Sequence, residues 1–239
     1  MTASVPHILV TGSTRGIGAA VAEVLAARGA RVLGHGRSAG GATLAADLAS
    51  PGAGPRLWEE ALSRLDGRID VLVNNAGIFE PAAIDLSDEA WDAAWDRTLQ
   101  VNLRAAADLS RLAVRHFLER PEGGRIVNVA SRAAYRGDSP AHWHYAASKA
   151  GMVAMTKSIA RGFAARGVLA FAVCPGFTLT GMADDYLASR GGPGLLADIP
   201  LGRVADPGEV AAAAAFLALE APASMTGAVL DINGASYVR

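Results

Sequence analysis

The residues best equipped for chemistry in this chain are Tyr145 and Lys149, in the stretch Tyr145-Ala-Ala-Ser-Lys149, which opens a helical pattern running through Met152, Thr156 and Ile159. At that spacing a helix stacks the two side chains on one face, with their head groups in reach of each other. A phenol titrates near ~10 in water and an ammonium slightly higher. An ammonium beside the phenol favours the phenolate, which makes the tyrosine a proton-transfer group usable at physiological pH. Composition singles out the lysine. Of 22 basic residues only Lys149 and Lys157 are lysines, so a compact, tunable ammonium stands where this sequence elsewhere writes arginine. Alone, the pair also reads as an ordinary helix surface contact.

A second stretch with chemical potential is Thr11-Gly12-Ser13-Thr14-Arg15-Gly16-Ile17-Gly18, directly after a short apolar run. Glycines between a strand and a helix let backbone approach a pyrophosphate, which the helix N-terminus stabilises through its free N–H groups and dipole. The spacing is Gly-x-x-x-Gly-x-Gly rather than Gly-x-Gly-x-x-Gly, so a mere tight connection remains open. His142-Trp143-His144 invites a metal reading, but an i,i+2 pair without a nearby Cys or carboxylate is poor ligand spacing. No metal is expected, and these side chains are expected to edge a cleft. The single cysteine, Cys174, lies in an apolar run before Pro175 and reads as a buried structural thiol.

The elements that must position these groups alternate between strand and helix, which predicts βαβ units on a parallel sheet. Strands are predicted at His7–Thr11, Arg31–His35, Ala42–Ala46, Ile69–Asn74, Arg125–Ala130, Val168–Cys174 and Ala228–Ile232. Helices are predicted at Gly16–Arg28 and Arg56–Leu65, from a cap at Ser87 to about Leu118, from Tyr145, around Asp184–Arg190 and after Pro207. The expected fold class is α/β: a Rossmann-like, doubly wound, seven-stranded parallel sheet with helices on both faces, in one domain over residues 1–239. With 239 residues, 51% hydrophobic, and a net charge of −1, the chain offers no electrostatic footprint for nucleic acid or an anionic membrane. The longest apolar run, Val210–Leu219, is too short to span a bilayer, and no basic region precedes an apolar N-terminal core. A cytoplasmic protein is expected.

Thr11-Gly12-x-x-x-Gly16-Ile17-Gly18, Asn74-Asn75-Ala76-Gly77, Asn102, Ser131, Tyr145-x-x-Ser-Lys149 and Pro175-Gly176 follow one another at suitable intervals. Together they resemble the short-chain dehydrogenase/reductase family, in its single-domain branch that includes 3-oxoacyl-carrier-protein reductases. The resemblance runs from the first strand to the last. It implies that Gly12, Gly16 and Gly18, with Ile17, line a pyrophosphate, and that Ser13 and Arg15 sit near the adenosine phosphates. Asn75, Ala76 and Gly77 would lie along the adenosine ribose, and Asp47 and Leu48 would meet the adenine. It makes Tyr145 the acid for carbonyl reduction, Lys149 the group that binds the nicotinamide ribose and lowers the phenol's pKa, and Ser131 the polariser of the carbonyl. Asn102 would hold a water linking Lys149 to solvent, and Pro175 and Gly176, with Thr178 or Thr180, would bind the carboxamide. Taken alone, Ser131 also fits a strand-ending hydroxyl, Asn102 a cap at a kink, and Asp47 a solvated carboxylate. Trp91 and Trp95 fit a core or subunit contact. The resemblance further implies a homotetramer or homodimer built through the Asn102 and Tyr145 helices.

The second strand ends in Gly36-Arg37-Ser38, without the acidic residue that would bond a ribose 2′-hydroxyl. Arg37, with Arg15, could clamp a 2′-phosphate, so NADP(H) is expected over NAD(H). Few residues separate Arg37 from the third strand, so the helix usual there is expected to be missing. Thr178–Pro200, rich in glycine and carrying Phe177, Met182, Tyr186, Leu187, Leu195 and Leu196 in and beside it, is expected to form a lid over an apolar or mixed small-molecule substrate. Arg132 reads either as an anion-binding group or as an exposed structural arginine. Two function classes follow. One is an NADPH-dependent ketone or 3-oxoacyl reductase, with NAD-dependent sugar, polyol or steroid dehydrogenases as its neighbours. The other is a non-catalytic dinucleotide-binding regulatory protein.

Overall fold

Strands buried on both faces read as unbroken apolar runs, because alternate side chains go to opposite layers. In the computed structural model, which describes residues 5–180 and 192–239, four such runs form the centre of a sheet. They are β1 (His7–Val10), β4 (Val71–Asn74), β5 (Gly124–Val129) and β6 (Val168–Pro175). Leu9, Leu72, Ile126 and Ala170 point into one layer, where helices α2 (Ala53–Arg64) and α4 (Ala105–Leu118) contribute Leu57, Trp58, Leu109 and Phe117. Ile8, Val10, Val71, Val73, Val127 and Phe171 point into the other, against α1 (Gly16–Ala27) and a C-terminal helix, Pro207–Leu219. A fully buried Phe117 or Phe171 contributes about 2–3 kcal/mol. An exposed ion pair such as Arg203–Glu209 is screened by solvent and adds little, so the two apolar layers carry the fold.

The described strands form one parallel sheet in the order β3-β2-β1-β4-β5-β6-β7, with β2 at Arg31–Gly36, β3 at Thr43–Ala45 and β7 at Val229–Ile232. This is the doubly wound α/β fold expected from the strand and helix alternation. The winding reverses between β1 and β4, and a crevice opens outside the C-terminal ends of such strands. No helix intervenes between β2 and β3, as expected. The Pro207–Leu219 helix begins with a capping box in which Asp206 and Glu209 bond each other's backbone.

Three local expectations need correcting. The third strand shrinks to Thr43–Ala45. The long helix from Ser87 is α3 (Asp88–Leu99) and α4 joined by a π-helical turn, Gln100–Arg104, and Asn102 sits in that turn. A short helix, α5 (Ala133–Arg136), was not anticipated between β5 and α6 (Trp143–Phe163). The helix expected at Asp184–Arg190, and residues 181–191 of the expected lid with Met182, Tyr186 and Leu187, lie outside the described residues. A buried polar chain fastens α4 and α6 to the sheet: Asn74 Nδ2 donates to Ser110 Oγ (3.0 Å) and Asn128 Oδ1 (2.9 Å), and Asn128 Nδ2 donates to Thr156 Oγ1 (2.8 Å). Each bond is worth about 1 kcal/mol net but costly to leave half-made, which fixes the helix carrying Tyr145 in one register.

Candidate active site

A cleft of about 680 Å³ opens at the C-terminal edge of β1, β4, β5 and β6. That volume suits a small-molecule or cofactor site. Its walls include Gly12, Arg15, Gly16, Ile17, Gly18, Arg37, Asp47, Leu48, Asn75, Ala76, Gly77, Ser131, Tyr145, Lys149, Pro175, Gly176, Thr178 and Thr180, so nearly all the predicted residues meet in one place.

The glycine loop is shaped by its neighbours. Gly12 has φ +65°, and a Cβ there would lie 2.8 Å from Ala76 Cα; at Gly18 a Cβ would lie 2.1 Å from the Gly12 carbonyl oxygen. These two glycines are required by packing. Gly16 and Gly77 instead keep the cleft open: a Cβ at 16 would reach Thr180 Cγ2 at 3.0 Å, and one at 77 would approach Lys149 Nζ at 3.5 Å. Asn75 locks the loop to β4, its Nδ2 donating to the carbonyls of Thr11 (2.9 Å) and Gly12 (3.0 Å). A bare backbone at a helix N-terminus, held rigid and without side chains in the way, fits a dinucleotide pyrophosphate.

Two expected site residues, Ser13 as a cofactor contact and Asn102 as the holder of a relay water, sit off the cleft wall. Ser13 turns its hydroxyl onto β2, accepting from the His35 N–H at 3.0 Å, so it braces the sheet rather than facing a phosphate. Asn102 is fully buried behind the wall. Its Oδ1 accepts from the Ile78 N–H (2.8 Å), and its Nδ2 donates to the Ile78 carbonyl (3.0 Å) and Ser148 Oγ (3.2 Å). The wide π turn brings this side chain to the Gly77–Ile78 backbone. Asp47 spends one carboxylate oxygen on the Ala49 N–H at 3.0 Å while lining the cleft.

Tyr145 and Lys149 share the inward face of α6, with Nζ 5.8 Å from the phenol ring centroid. Lys149 is 4% exposed and donates to the Val129 carbonyl at 2.9 Å. The expected lowering of the phenol's pKa is not what this arrangement produces. Burial pushes Tyr145 up to about 12; a hydrogen bond with Ser131 pulls the other way without overcoming it, and Asp138 adds to the rise. Burial also drives Lys149 down to about 8 from its ordinary 10.5. The phenol therefore holds its proton at neutral pH, the state needed to donate one.

The lysine's shift has a consequence for stability. Between pH 8 and 10.5 the unfolded chain binds a proton at Lys149 that the folded chain releases. Stability from this group therefore rises with pH across that window. Unfolding titrations of wild type and Lys149→Met on either side of the window should show the difference moving in the wild type's favour as pH rises. A difference independent of pH would contradict the shift.

Aromatic groups close the cleft's far side. Phe79 meets Tyr145 edge-on at 4.7 Å and stacks on His142 at 3.9 Å. His142 and His144 are 2% and 1% exposed and lie behind the wall, so they support Phe79 and Trp95 instead of edging the cleft. Trp91 and Trp95 pack on each other, with Trp91 also against Trp143. Arg132 is not the exposed arginine of the alternative reading: it is 8% exposed, lines the cleft, lies over Phe177 at 4.6 Å and reaches Asp198 at 3.6 Å. Cys174 is buried and its thiol is pushed up to about 11, chiefly by burial, which makes it inert at neutral pH. Among the described residues no group of three or more His, Cys, Asp or Glu is placed to hold a metal ion, and no helix is long and apolar enough to cross a membrane.

His35, Thr14, Phe79 and Glu80 line the cleft without having been foreseen. Only His35 had a usable signal, as a polar residue inside an apolar strand.

Known proteins resemble this chain along nearly its whole length. Residues 12–235 match the family model described as enoyl-(acyl carrier protein) reductase. The 3-oxoacyl-[acyl-carrier-protein] reductase FabG of Escherichia coli (strain K12) is 38% identical over 245 residues, covering 96% of each chain. That of Vibrio cholerae serotype O1 is 39% identical over 241 residues, again with 96% of each covered. Among solved structures, a candidate NAD(P)-dependent gluconate 5-dehydrogenase from Beutenbergia cavernae, with NADP bound at low occupancy, superposes with TM-score 0.86 at 35% identity, covering 96% of this chain and 95% of its own. A candidate 2-deoxy-D-gluconate 3-dehydrogenase from Agrobacterium tumefaciens with bound NADP gives TM-score 0.86 at 30% identity, covering 98% and 97%.

Proposed function

Because the chain belongs to the short-chain dehydrogenase/reductase family, we propose that it is an NADP(H)-dependent oxidoreductase interconverting a ketone and a secondary alcohol, with a 3-oxoacyl thioester as the leading substrate class. The observation that carries this reading is the meeting of Tyr145, Ser131 and Lys149 in the same cleft as the rigid glycine loop.

Gly12 to Gly18, Asn75 to Gly77 and Pro175 to Thr180 would hold the dinucleotide, and its nicotinamide supplies or accepts the hydride when bound. Tyr145 gives its proton to the carbonyl oxygen as charge develops there. Ser131 steadies the same oxygen, a contribution worth about 10²–10³ in rate for one such donor. Lys149 holds the floor of the cleft between Val129 and the Gly77 backbone and is the group from which the phenol is reprotonated. Asn102 fixes the Ile78 backbone beside it. Arg15 and Arg37, both exposed at the cleft's outer end, supply the charge that selects a 2′-phosphate.

A second reading, a polyhydroxy-acid substrate, draws on the two solved relatives, each a candidate gluconate dehydrogenase with NADP. The non-catalytic alternative has no account of why both Tyr145 and Lys149 are kept in one cleft. The test is NADPH consumption over a panel of 3-oxoacyl thioesters and keto sugar acids. Turnover of the thioesters is expected to dominate. Preference for the sugar acids would move the substrate class, and turnover of neither with tight cofactor binding would favour the regulatory alternative.

A further inference from the structure

We propose that His35 is a positioning residue for the dinucleotide, its imidazole setting the distance between the glycine loop and the wall after β3. The inference rests on the functional reading above and adds a residue to it.

His35 is the penultimate residue of β2 and is 3% exposed, yet it borders the cleft. Its Nδ1 lies 3.1 Å from the Gly12 backbone nitrogen. A backbone N–H only donates, so Nδ1 is the bare nitrogen of the ring. The hydrogen is then on Nε2, which donates to the Ala46 carbonyl at 3.0 Å. One ring therefore ties the loop after β1 to the segment after β3 and satisfies both its nitrogens. Burial lowers the His35 pKa, which keeps this single-proton tautomer in place at neutral pH.

The main chain of the same residue reinforces the tie. The Ser13 N–H donates to the His35 carbonyl at 2.9 Å, and the His35 N–H donates to Ser13 Oγ at 3.0 Å. On the opposite side Asn75 grips the Gly12 carbonyl, and Ala76 leaves no room for a Cβ at Gly12. Gly12 is thus fixed between β2 and β4, with the His35 ring as its one side-chain acceptor. At the other end of the ring, Ala46 opens the run to Ala49 that forms the cleft's outer wall. A phenylalanine would fill the same space but leave a part-buried N–H and a part-buried carbonyl without their protein partners. An asparagine places an acceptor near the Nδ1 position and restores the Gly12 half alone.

NADPH affinity, read by fluorescence titration of the purified protein, tests this together with steady-state kinetics. His35→Phe should raise the Kd and KM for NADPH about tenfold, the order expected from a part-buried donor left without its acceptor, and leave kcat at saturating NADPH within about twofold. His35→Asn should recover a large part of the affinity. Wild-type affinity in His35→Phe overturns the inference. So does equal loss of affinity in both variants in proportion to lost thermal stability, because that marks a purely structural role. Wild type that binds no NADPH rejects the functional reading first, and this inference with it.

Discussion

Tyr145→Phe should lower turnover of the best carbonyl substrate by about 10³-fold while leaving NADPH affinity within about twofold. Positioned general acids contribute about 10²–10⁴ in rate, and here the lost hydroxyl also removes the partner of Ser131. The ring itself stays. Phe79 packs edge-on against it at 4.7 Å, a contact indifferent to the hydroxyl, so the fold and the cleft should survive. The sign of the pH dependence follows from the same burial. With the phenol at about 12, the acid stays protonated through the physiological range, so carbonyl reduction should be flat in pH there. Alcohol oxidation needs the deprotonated oxygen and should accelerate with rising pH. Rapid-mixing measurement of the chemical step in wild type and variant checks both statements. A variant that reduces the carbonyl at the wild-type rate would remove Tyr145 from the mechanism.

The direction of that pKa is where sequence reasoning went astray, and the cause is physical. Residue spacing says that Tyr145 and Lys149 share a helix face, and they do. It says nothing of how much water the face keeps. The chain buries Lys149, half-buries Tyr145 and spends the ammonium on the Val129 carbonyl, so desolvation outweighs the attraction between ammonium and phenolate that spacing suggests. Central strands were legible because burial on both faces writes unbroken apolar runs such as Val71–Val73. Glycine spacing was legible because Gly12 and Gly18 answer to backbone contacts no other residue permits. The π turn at Asn102 was not, since its five residues keep ordinary helical composition and one wide turn is too short for a change of period to stand out. Ser13 was misplaced for a related reason. A hydroxyl in a glycine-rich loop has backbone donors and acceptors on both sides, and only the fold brings β2 against it. His35 was passed over as a strand residue, although a histidine between two glycines in an apolar strand signals that something buried needs its nitrogens.

Arg37→Glu should reduce the ratio of NADPH to NADH catalytic efficiency by about 10²-fold. Arg37 follows the last residue of β2 at the outer end of the cleft, exposed, with Arg15 on the same cleft and no ion pair engaging either among the described residues. A charge-assisted bond from guanidinium to phosphate is worth about 1.5–3 kcal/mol, and a carboxylate in its place adds repulsion to the loss. Gly36 leaves no acidic group of its own on β2. Asp47, a carboxylate lining the same cleft, accepts the Ala49 N–H with one oxygen. The loss should fall on the KM for NADPH, with kcat preserved, because this end of the cleft lies away from Tyr145. Because both arginines are exposed, the wild-type preference should also weaken as salt is raised, whereas that of Arg37→Glu should barely respond. Kinetics with the two cofactors at low and high ionic strength measure all of this. A ratio unmoved by the substitution would mean that the 2′-phosphate is read elsewhere, and wild type already favouring NADH would reject the cofactor assignment itself.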